Sequence, residues 1–228
     1  MNTILTVSHL TKYYEQRLII NDLSFSIGKG DRVTFFAPSG SGKTTLIAIL
    51  NGFDADYQGQ YSLSAKSLVT IFQEPRLFAH MTVKENILFP LQVKGKRLTT
   101  DFQQRLDHWM EVCEISDKLE QYPYQLSGGS KQKVALVRGL LDFPDFVMMD
   151  EPFKSIDIVS KTAIIRHIVE VYPEMTILLV THNLEEIPLL SKSLMVFKRK
   201  ISSDFAFYPD ISNSHLSSFI PQVIEDLL

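Results

Sequence analysis

Residues 37–45 read Ala37-Pro38-Ser39-Gly40-Ser41-Gly42-Lys43-Thr44-Thr45, and this stretch decides the fold of the chain. An apolar run at 33–36 precedes it, and a second apolar run at 46–50 follows it. A strand, a glycine-rich turn and a helix, in that order, are what a phosphate-binding loop requires. The glycines let backbone N–H groups close around an anion, and the positive end of the following helix points at the same anion.

The loop also carries the two side chains that phosphate chemistry needs. We expect Lys43 to reach the β- and γ-phosphates of a nucleotide and the Thr44 hydroxyl to ligate Mg²⁺. The usual pattern is G-x-x-x-x-G-K-[ST], and its first glycine is replaced here by Ala37. The alternative is a Gly/Ser-rich linker between a strand and a helix, but a linker does not explain why Gly40, Gly42 and the lysine follow in this order.

Composition places the chain among globular proteins. It has 228 residues, 45% of them hydrophobic and 21% charged, which is enough for one large or two small folded units with a real core. The net charge of −3 gives no overall electrostatic case for binding nucleic acid. The single cysteine, Cys113, excludes an intrachain disulfide and is expected in the core of a helix.

The sequence shows no targeting or membrane-spanning segment. No apolar run approaches the ~20 residues of a membrane span. The first residues lack the basic and apolar regions of a signal peptide. We therefore expect a cytoplasmic protein, for which a partner would supply any membrane span.

Hydrophobic periodicity predicts an α/β chain with a helical insertion. Residues 3–8 and 23–27 alternate apolar and polar side chains, which is typical of half-buried antiparallel strands. Residues 60–72 are also predicted as strands. Between 82 and 141 the pattern becomes helical, and 101–120 is predicted as a helix with one apolar face. This block therefore interrupts an α/β core.

Two later strands end in side chains suited to nucleotide chemistry. The apolar strand 146–149 is followed by Asp150 and Glu151, and the strand at 176–181 by His182. Asp150 can hold Mg²⁺ through water, Glu151 can polarise an attacking water, and His182 can donate to a γ-phosphate. The alternatives are a strand with an acidic exit and a structural histidine. Their place at a sheet's carboxyl edge, where α/β proteins bind ligands, favours a site.

A second helix start offers another anion-binding end. Ser127-Gly128-Gly129 precedes the predicted helix 131–142, with Ser127 as a good N-cap and two glycines that leave backbone N–H groups bare. One nucleotide does not need two such ends from one chain. We therefore expect each end to complete a site on a partner molecule.

Two further segments offer contacts to a nucleotide. Gln73 follows the strand ending at Phe72, and a side-chain amide there can orient water or ligate Mg²⁺. Tyr13 and Tyr14 lie between the first strands, where an aromatic ring can stack on a base. Ordinary strand packing explains either tyrosine equally well.

These motifs, in this order, resemble the nucleotide-binding subunit of ABC transporters over nearly the whole chain. L-S-G-G-S at 126–130 is similar to the ABC signature, which other P-loop classes lack. The remaining matches are the P-loop at 37–45, the Q-loop glutamine Gln73, Walker B at 147–152, the D-loop at 153–157, the H-loop at 180–183 and Tyr14 as the A-loop aromatic, with Tyr13 as the fallback.

The resemblance implies a fold and its subdivision. It predicts an α/β P-loop NTPase (RecA-like) core with an antiparallel β subdomain and an inserted ABC-type α-helical subdomain. The whole of 1–228 would be one ABC ATPase domain. Within it, 1–74 and 142–228 would form the ATP-binding core with the β subdomain, and 75–141 the helical subdomain.

The resemblance also implies an ATPase that dimerises head to tail with a second copy of itself. ATP and Mg²⁺ are the implied cofactors. The implied catalytic residues are Glu151, His182, Lys43 and Gln73, and the implied metal ligands are Thr44, Gln73 and Asp150. The implied ATP-binding residues are Tyr14, the loop from Ala37 to Thr45, and Ser127, Gly128 and Gly129 of the other subunit.

The segments 72–78 and 81–87 resemble the nitrate/sulfonate/taurine-type importers. This implies import of a small organic or anionic solute through a membrane permease, with a solute-binding protein, at the cytoplasmic face of the membrane. No nucleic acid is expected. The alternatives are a soluble ABC ATPase acting on nucleic acid or ribosomes, and a nucleotide-binding module without catalysis.

The chain departs from the family pattern at four positions, and at three of them the departure is small. Ala37 replaces the first loop glycine, Ser130 a frequent Gln, and Asn183 a frequent Asp. Lys154 occupies the D-loop where a small residue is usual, so coupling between subunits is expected to differ. Because Lys43 and the residues after the two strands are intact, hydrolysis is predicted.

Overall fold

A computed structural model gives the fold, and it describes residues 2–211 together with 221, 223 and 225. The described residues pack into two compact units. The first unit takes in the described part of Met1–Thr70, Asp145–Glu151 and Glu174–Leu228, and the second takes in Ile71–Pro144 and Pro152–Pro173. None of the helices in this described part has both the length and the apolar character that crossing a membrane requires.

The strands lie mostly in the first unit and the long helices mostly in the second. The strands are β1 (Thr3–Tyr14), β2 (Arg17–Gly28), β3 (Arg32–Phe36), β4 (Gln58–Leu63), β5 (Leu68–Ile71), β6 (Phe146–Asp150), β7 (Thr176–Thr181), β8 (Ser193–Phe197), β9 (Ile201–Ser202) and β10 (Phe205–Tyr208). The helices are α1 (Lys43–Leu50), α2 (Val83–Val93), α3 (Thr100–Cys113), α4 (Gly128–Leu140), α5 (Ile158–Val171) and α6 (Ile187–Leu190).

A six-stranded sheet in the order β10-β8-β3-β7-β6-β5 forms the centre of the first unit. β3 pairs in parallel with β7 and β8, and β6 pairs in parallel with β7. Every residue of β3, β6 and β7 is buried. Parallel strands covered on both faces need apolar side chains on both, which explains the unbroken apolar runs in the sequence.

A second sheet, in the order β4-β1-β2-β9, is antiparallel between β1 and both of its neighbours. The predicted antiparallel strands at 3–8 and 23–27 are confirmed, and each is longer than its alternating pattern, at 12 residues. The pairing shifts by one residue where Lys12 lies opposite Ile20 and Tyr13 opposite Leu18. Ile19 is therefore the extra residue of a β-bulge.

The sequence predicts that Asn51-Gly52 ends the first helix, and the structure confirms this. Asn51 is its C-cap, and Gly52 takes the left-handed conformation with a φ of 73°. The Phe53 N–H donates to Ala48 O and the Gly52 N–H to Ile49 O, which together form a Schellman motif. The turn after α1 is thus held by the helix itself.

The helix predicted at 101–120 is wrong at its C-terminal end. α3 stops at Cys113 because Glu114 takes the left-handed conformation, with a φ of 54°, and a short 3₁₀ turn at Ser116–Lys118 follows. The predicted apolar face is confirmed. Its buried members are Leu106, Trp109, Met110 and Cys113.

Two other helix starts differ from the prediction. α4 begins at Gly128, three residues before the predicted 131, because Ser127 caps it by accepting a hydrogen bond from the Ser130 N–H. In the first unit, the sequence predicts that residues 183–186 begin the next helix, but α6 starts only at Ile187. A turn precedes it, since the Asn183 side chain accepts from the Glu185 N–H.

The grouping of residues differs from the predicted division at α5. The prediction assigned the whole of 142–228 to the ATP-binding core. In the structure Pro152–Pro173 belongs with Ile71–Pro144, because α5 packs against α3. The subdomain boundaries implied by the resemblance stay a prediction.

The sequence predicts an amphipathic helix over 215–228, and most of this segment lies outside the described residues. Residues 221, 223 and 225 are helical. Val223 is buried in a cluster with residues of the six-stranded sheet and α6. The other buried members are Phe36, Ile187, Leu194, Val196 and Ile211.

A chain of buried hydrogen bonds crosses the second unit. The Trp109 indole Nε1–H donates to the Tyr172 hydroxyl at 3.0 Å, and that hydroxyl donates to Leu140 O at 2.9 Å. Burial raises the pKa of Tyr172 to about 12, so its hydroxyl stays protonated and able to donate. One oxygen atom therefore joins α3, α4 and the end of α5.

We predict that Tyr172→Phe lowers the free energy of unfolding by about 1–3 kcal/mol, because it leaves the buried Trp109 N–H unsatisfied, whereas Leu140 O keeps its hydrogen bond from the Phe143 N–H. Urea denaturation of the full chain measures this through the midpoint. The matched control is Tyr124→Phe, because Tyr124 is 76% exposed. Loss of its hydroxyl should change the free energy of unfolding by less than about 0.5 kcal/mol. Equal midpoints for Tyr172→Phe and the wild type would contradict the assignment.

Candidate functional site

The register of three neighbouring strands places three chain segments at one sheet edge. Phe36, at the end of β3, pairs with Thr181, at the end of β7. Val180 of β7 pairs with Asp150, at the end of β6. The three strands therefore end within one residue of each other along the sheet. The segments that follow them contain the predicted P-loop, His182 and Glu151.

The P-loop has the backbone conformation that its glycines allow. Gly40 and Gly42 have φ values of 76° and 105°, a region that favours glycine. A Cβ at Gly42 would lie 3.0 Å from Ile19 Cγ2 and 3.2 Å from Ile19 O, so the bulge of β2 leaves no room for a side chain. Gly42 is also the N-cap of α1, and no side chain caps this helix start. Its N–H groups are therefore available to an anion.

The departure at Ala37 costs the loop no backbone strain. Ala37 is buried, and it is not among the residues of positive φ that the structure describes. Its carbonyl oxygen accepts a hydrogen bond from Lys43 Nζ at 2.7 Å. An alanine is therefore accommodated where the usual pattern has glycine.

Lys43 is a buried cation held by its own loop. Its side chain is 6% exposed, and Nζ donates to Ala37 O at 2.7 Å and to Pro38 O at 2.8 Å. Burial lowers the pKa of Lys43, while the charges of Glu151 and Asp150 act in the opposite direction. A partly desolvated ammonium beside a helix N-terminus is suited to receive an anion.

One further atom of the loop fits a ligand. Ser41 is buried, and its Oγ has no hydrogen-bond partner within the part of the chain that the structure describes. A buried hydroxyl without a partner is costly unless something else satisfies it. The positive φ values, the buried ammonium and this hydroxyl together fit a polyphosphate.

Thr44 and Asp150 fit a magnesium ion. The Thr44 Oγ1–H donates to Asp150 Oδ2 at 3.0 Å, so two oxygens of the kind that Mg²⁺ prefers already lie side by side. Among the described residues, no group of three or more His, Cys, Asp or Glu side chains is placed to hold a metal. Mg²⁺ commonly takes one or two protein oxygens and completes its shell with water and phosphate.

Glu151 directly follows β6 in a strained conformation. Its φ is 45°, which costs a non-glycine residue roughly 1 kcal/mol or more. Its N–H donates to Val180 O at 2.8 Å, which fixes the backbone to β7. Glu151 Oε1 lies 2.8 Å from His182 Nδ1. A carboxylate only accepts, so Nδ1 carries the proton in this pair and Nε2 is the other nitrogen of the ring.

A small network orients the backbone on both sides of His182. The Thr181 Oγ1–H donates to the buried Glu186 at 2.8 Å, and Thr181 Oγ1 accepts from the Asn183 N–H at 3.0 Å. The Asn183 amide donates to the other Glu186 oxygen at 3.3 Å. Asn183, for which the sequence suggested no consequence, therefore helps to hold the turn that presents His182.

Tyr14 lies at the exposed end of the β1–β2 hairpin, opposite Arg17. Its ring is 48% exposed and that of Tyr13 45%, so exposure alone does not choose between them. Tyr14 is held by polar contacts, since its hydroxyl donates to Asp54 at 3.2 Å. The hairpin reaches the P-loop through the Ile19 bulge beside Gly42.

The signature motif lies in the second unit and packs on the D-loop. Ser127 caps α4, as predicted. A Cβ at Gly129 would lie only 2.6 Å from Ser155 O, whereas a Cβ at Gly128 would meet nothing closer than Ser155 Cβ at 4.0 Å. The second glycine is therefore required by the approach of the D-loop backbone.

Gln73 also lies in the second unit, exposed, two residues after β5. Its role towards a nucleotide stays a prediction. The sequence did not indicate the residues that hold this segment. The Gln132 side chain donates to Phe72 O at 3.2 Å, and Arg138 donates to Pro75 O and Arg76 O at 3.0 Å each.

No local sequence pattern indicates these two hydrogen-bonding side chains. Both lie on α4, about 60 residues along the chain from the carbonyls to which they donate. A search of the sequence for polar residues on an otherwise buried helix face would have found Gln132, which is 2% exposed.

Comparison with known proteins agrees with this geometry. Residues 20–154 match the family described as ABC transporter. The chain is 30% identical over 236 residues to the spermidine/putrescine import ATP-binding protein PotA of Nitrosomonas europaea, which covers 96% of this chain and 65% of that relative. It is 30% identical over 208 residues to the aliphatic sulfonates import ATP-binding protein SsuB of Bacillus cereus, covering 86% of this chain and 81% of that relative.

A solved structure supports the fold. The dimeric post-hydrolysis state of an ATP-binding cassette protein, bound to ADP and Pi, is similar with a TM-score of 0.77 at 21% identity. The match covers 90% of this chain and 98% of the other. The predicted α/β P-loop NTPase fold is confirmed. The chain spans about two thirds of the length of the PotA relative.

We predict that Gly129→Ala lowers the unfolding free energy by about 1–3 kcal/mol, because the new Cβ forces the backbone at Ser155 to move. Gly128→Ala is the matched control on the same helix turn, where a methyl group fits. Urea denaturation of both variants gives the comparison. If Gly129→Ala is as stable as Gly128→Ala, the close packing of the signature on the D-loop is not a constraint.

Proposed function

Because the chain belongs to the family of ABC transporter ATP-binding domains, we propose that it binds ATP with Mg²⁺ and hydrolyses it as the ATP-binding subunit of a membrane importer. One observation carries this proposal. At a single sheet edge of the first unit, Lys43 contacts the loop carbonyls, Thr44 contacts Asp150, and Glu151 contacts His182.

Each pair at this edge has its own task. The backbone N–H groups at 40–44 and the Lys43 ammonium bind the β- and γ-phosphates. Thr44 and Asp150 would hold Mg²⁺. When bound, Mg²⁺ neutralises charge that develops on the phosphate oxygens during phosphoryl transfer.

Glu151 and His182 act on the attacking water. Glu151 accepts the proton of the water as its oxygen forms a bond to the γ-phosphorus, and the bond from that phosphorus to the bridging oxygen of ADP breaks. The proton on His182 Nδ1 is engaged by Glu151 Oε1. His182 therefore orients this carboxylate and presents its other ring nitrogen towards the γ-phosphate.

The second anion-binding helix start is the ground for a dimer. α4 opens at Ser127-Gly128-Gly129, where the backbone N–H groups point out of the helix start. The Ser127 side chain caps only the Ser130 N–H, so the N–H groups of the two glycines are bare. We infer that these groups contact the γ-phosphate of ATP held by a second copy, as the family resemblance implies. The related cassette protein was captured as a dimer with ADP and Pi, which supports this arrangement.

The segment after β5 is suited to dock a membrane permease. Phe78 is 38% exposed, and its ring packs on that of Phe89 at a centroid distance of 4.8 Å. Asn86 fixes the loop by accepting from the Phe78 N–H and donating to Phe78 O. This fixed aromatic surface would bring the protein to the cytoplasmic face of the membrane as a peripheral subunit.

The solute is a small organic ion. The relatives named above are import ATP-binding proteins, one for spermidine/putrescine and one for aliphatic sulfonates, and these two classes of solute carry opposite charges. The permease and a solute-binding protein would therefore choose the solute, and the sequence-based expectation of a small organic or anionic solute stays a prediction. Both named relatives are import proteins, which does not favour a soluble ABC ATPase acting on nucleic acid.

We predict that the purified chain, alone or with its permease, hydrolyses MgATP. Lys43→Ala should reduce turnover to background, because the phosphate-binding cation is lost. Glu151→Gln should reduce it at least about 100-fold, the usual contribution of a general base. Release of inorganic phosphate measures the rate. Wild-type turnover no greater than that of Lys43→Ala would disprove the proposal.

The same variants test the dimer. Glu151→Gln with MgATP should sediment as a dimer, because ATP joins two copies and is not consumed. Adding Lys43→Ala to it should restore the monomer. If both the wild type and Glu151→Gln bind ATP but neither forms a dimer, the alternative of a nucleotide-binding module without catalysis is favoured.

We predict that a polytopic membrane protein co-purifies with the chain from detergent-solubilised native membranes, in an amount nearly equal to that of the chain. Phe78→Ala should lower that recovery several-fold, because the exposed ring is removed. Val169→Ala, at 37% exposure on α5, is the matched control. Mass spectrometry identifies the partner. Ribosomal proteins or nucleic acid in its place would favour the soluble ABC ATPase.

A further inference from the structure

A buried lysine lies beneath Tyr14. Lys12, two residues earlier on β1, is 2% exposed, and its Nζ lies 4.8 Å from the centre of the Tyr14 ring. The same ring is anchored at its far end, where the hydroxyl donates to Asp54 Oδ2 at 3.2 Å. Asp54 Oδ1 in turn accepts from Lys12 Nζ at 2.9 Å. The three side chains form a closed set, which we call the Lys12–Asp54–Tyr14 cluster.

Every donor of the lysine is engaged. An ammonium has three N–H groups, and here they have three acceptors: Asp54 Oδ1, Asp56 O and Asp56 Oδ2. A buried charge with all donors satisfied has one well-defined position. The position of the cation beneath the ring is therefore fixed by the loop at 54–56.

The loop at 54–56 is itself tied to the P-loop through α1. α1 begins at Lys43, within the P-loop, and ends in the Schellman motif at Gly52. Asp54 follows two residues later, and its carboxylate also accepts from the Asp56 N–H. One short, rigid helix thus joins the proposed phosphate site to the anchor of Tyr14.

We propose that Lys12 and Asp54 are positioning residues that fix the Tyr14 ring so that it presents one face to the nucleotide base. This rests on the proposed ATP site and extends it to residues that the resemblance did not assign. The ammonium occupies one face of the ring, and the Asp54 carboxylate holds the far end of the ring in place through its hydroxyl. A base then stacks on the opposite face.

The cluster also selects Tyr14 over Tyr13 as the stacking residue. Tyr13 is equally exposed, but its ring is not part of the Lys12–Asp54 contacts. A ring that is already held loses less conformational entropy when a base binds. More of the favourable free energy of stacking therefore contributes to the affinity for the nucleotide.

The test compares MgATP with Mg-tripolyphosphate, which has the phosphates but no base. Affinities of both ligands are measured by calorimetry for the wild type, Tyr14→Ala, Tyr14→Phe, Lys12→Arg and the double variant Lys12→Met/Asp54→Asn. The double variant removes both charges, so that neither is left buried alone. Tyr13→Phe, in which only a neighbouring hydroxyl is lost, is the matched control.

We expect Tyr14→Ala to weaken MgATP binding by about 5- to 150-fold, the range for one base–aromatic stack. The double variant and Tyr14→Phe should weaken it by about 2- to 5-fold, in line with an exposed cation–π contact or a lost anchor. Lys12→Arg should retain most of the affinity, because the cation and its ion pair remain. Tripolyphosphate binding should stay unchanged in every variant.

The outcomes separate this proposal from the function on which it rests. A wild type that binds neither ligand disproves the ATP site itself. An equal loss of MgATP and tripolyphosphate affinity in the double variant shows that Lys12 and Asp54 only stabilise the fold, which overturns the proposal. If the double variant does not fold, Tyr14→Phe decides, and unchanged MgATP affinity in Tyr14→Phe also overturns it.

Discussion

The register of β3, β7 and β6 is the constraint on which the site depends. Phe36 pairs with Thr181 and Val180 with Asp150, so three strands end together. A slip of one residue in β6 would turn Asp150 to the other face of the sheet and separate it from Thr44. The register is secured because all three strands are buried on both faces, where a slip would exchange one set of packed side chains for another.

At this edge the local rules of stable structure are broken, and neighbouring groups compensate. Lys43 is a cation taken out of water, and two loop carbonyls satisfy it. Glu151 has a left-handed backbone, and its N–H is fixed to Val180. Departures of this kind collect at functional sites, because a ligand benefits from groups that the fold alone would not arrange in this way.

The second unit uses a different device, in which long side chains hold irregular backbone. Arg138 and Gln132 of α4 bind carbonyls at 72–76, and Asn86 of α2 binds the loop before it. Lys133 Nζ donates to Ser160 Oγ, and the Ser160 N–H donates to the Asp157 carboxylate that caps the start of α5. The segments with no regular structure thus have defined positions, as recognition of a partner requires.

The sequence by itself determined the fold class, the P-loop, its lysine and the residues after β6 and β7. These follow from local rules: glycines with positive φ, apolar runs buried in a parallel sheet, and polar residues where strands end. It also determined the capping of α4 by Ser127, because a cap is a contact over three residues. Local patterns failed where the backbone reversed at a non-glycine residue, as at Glu114, which ended α3 early.

Only the tertiary structure decided which distant residues meet. The pairing of Glu151 with His182, the contact of Gly129 with Ser155 of the D-loop, and the anchoring of Tyr14 on Asp54 join residues that are 26 to 40 positions apart and depend on packing. Ala37 was a departure from a pattern in the sequence and is an ordinary residue in the fold, because its φ is not positive. A sequence states which conformations each residue allows, and only the packed chain selects among them.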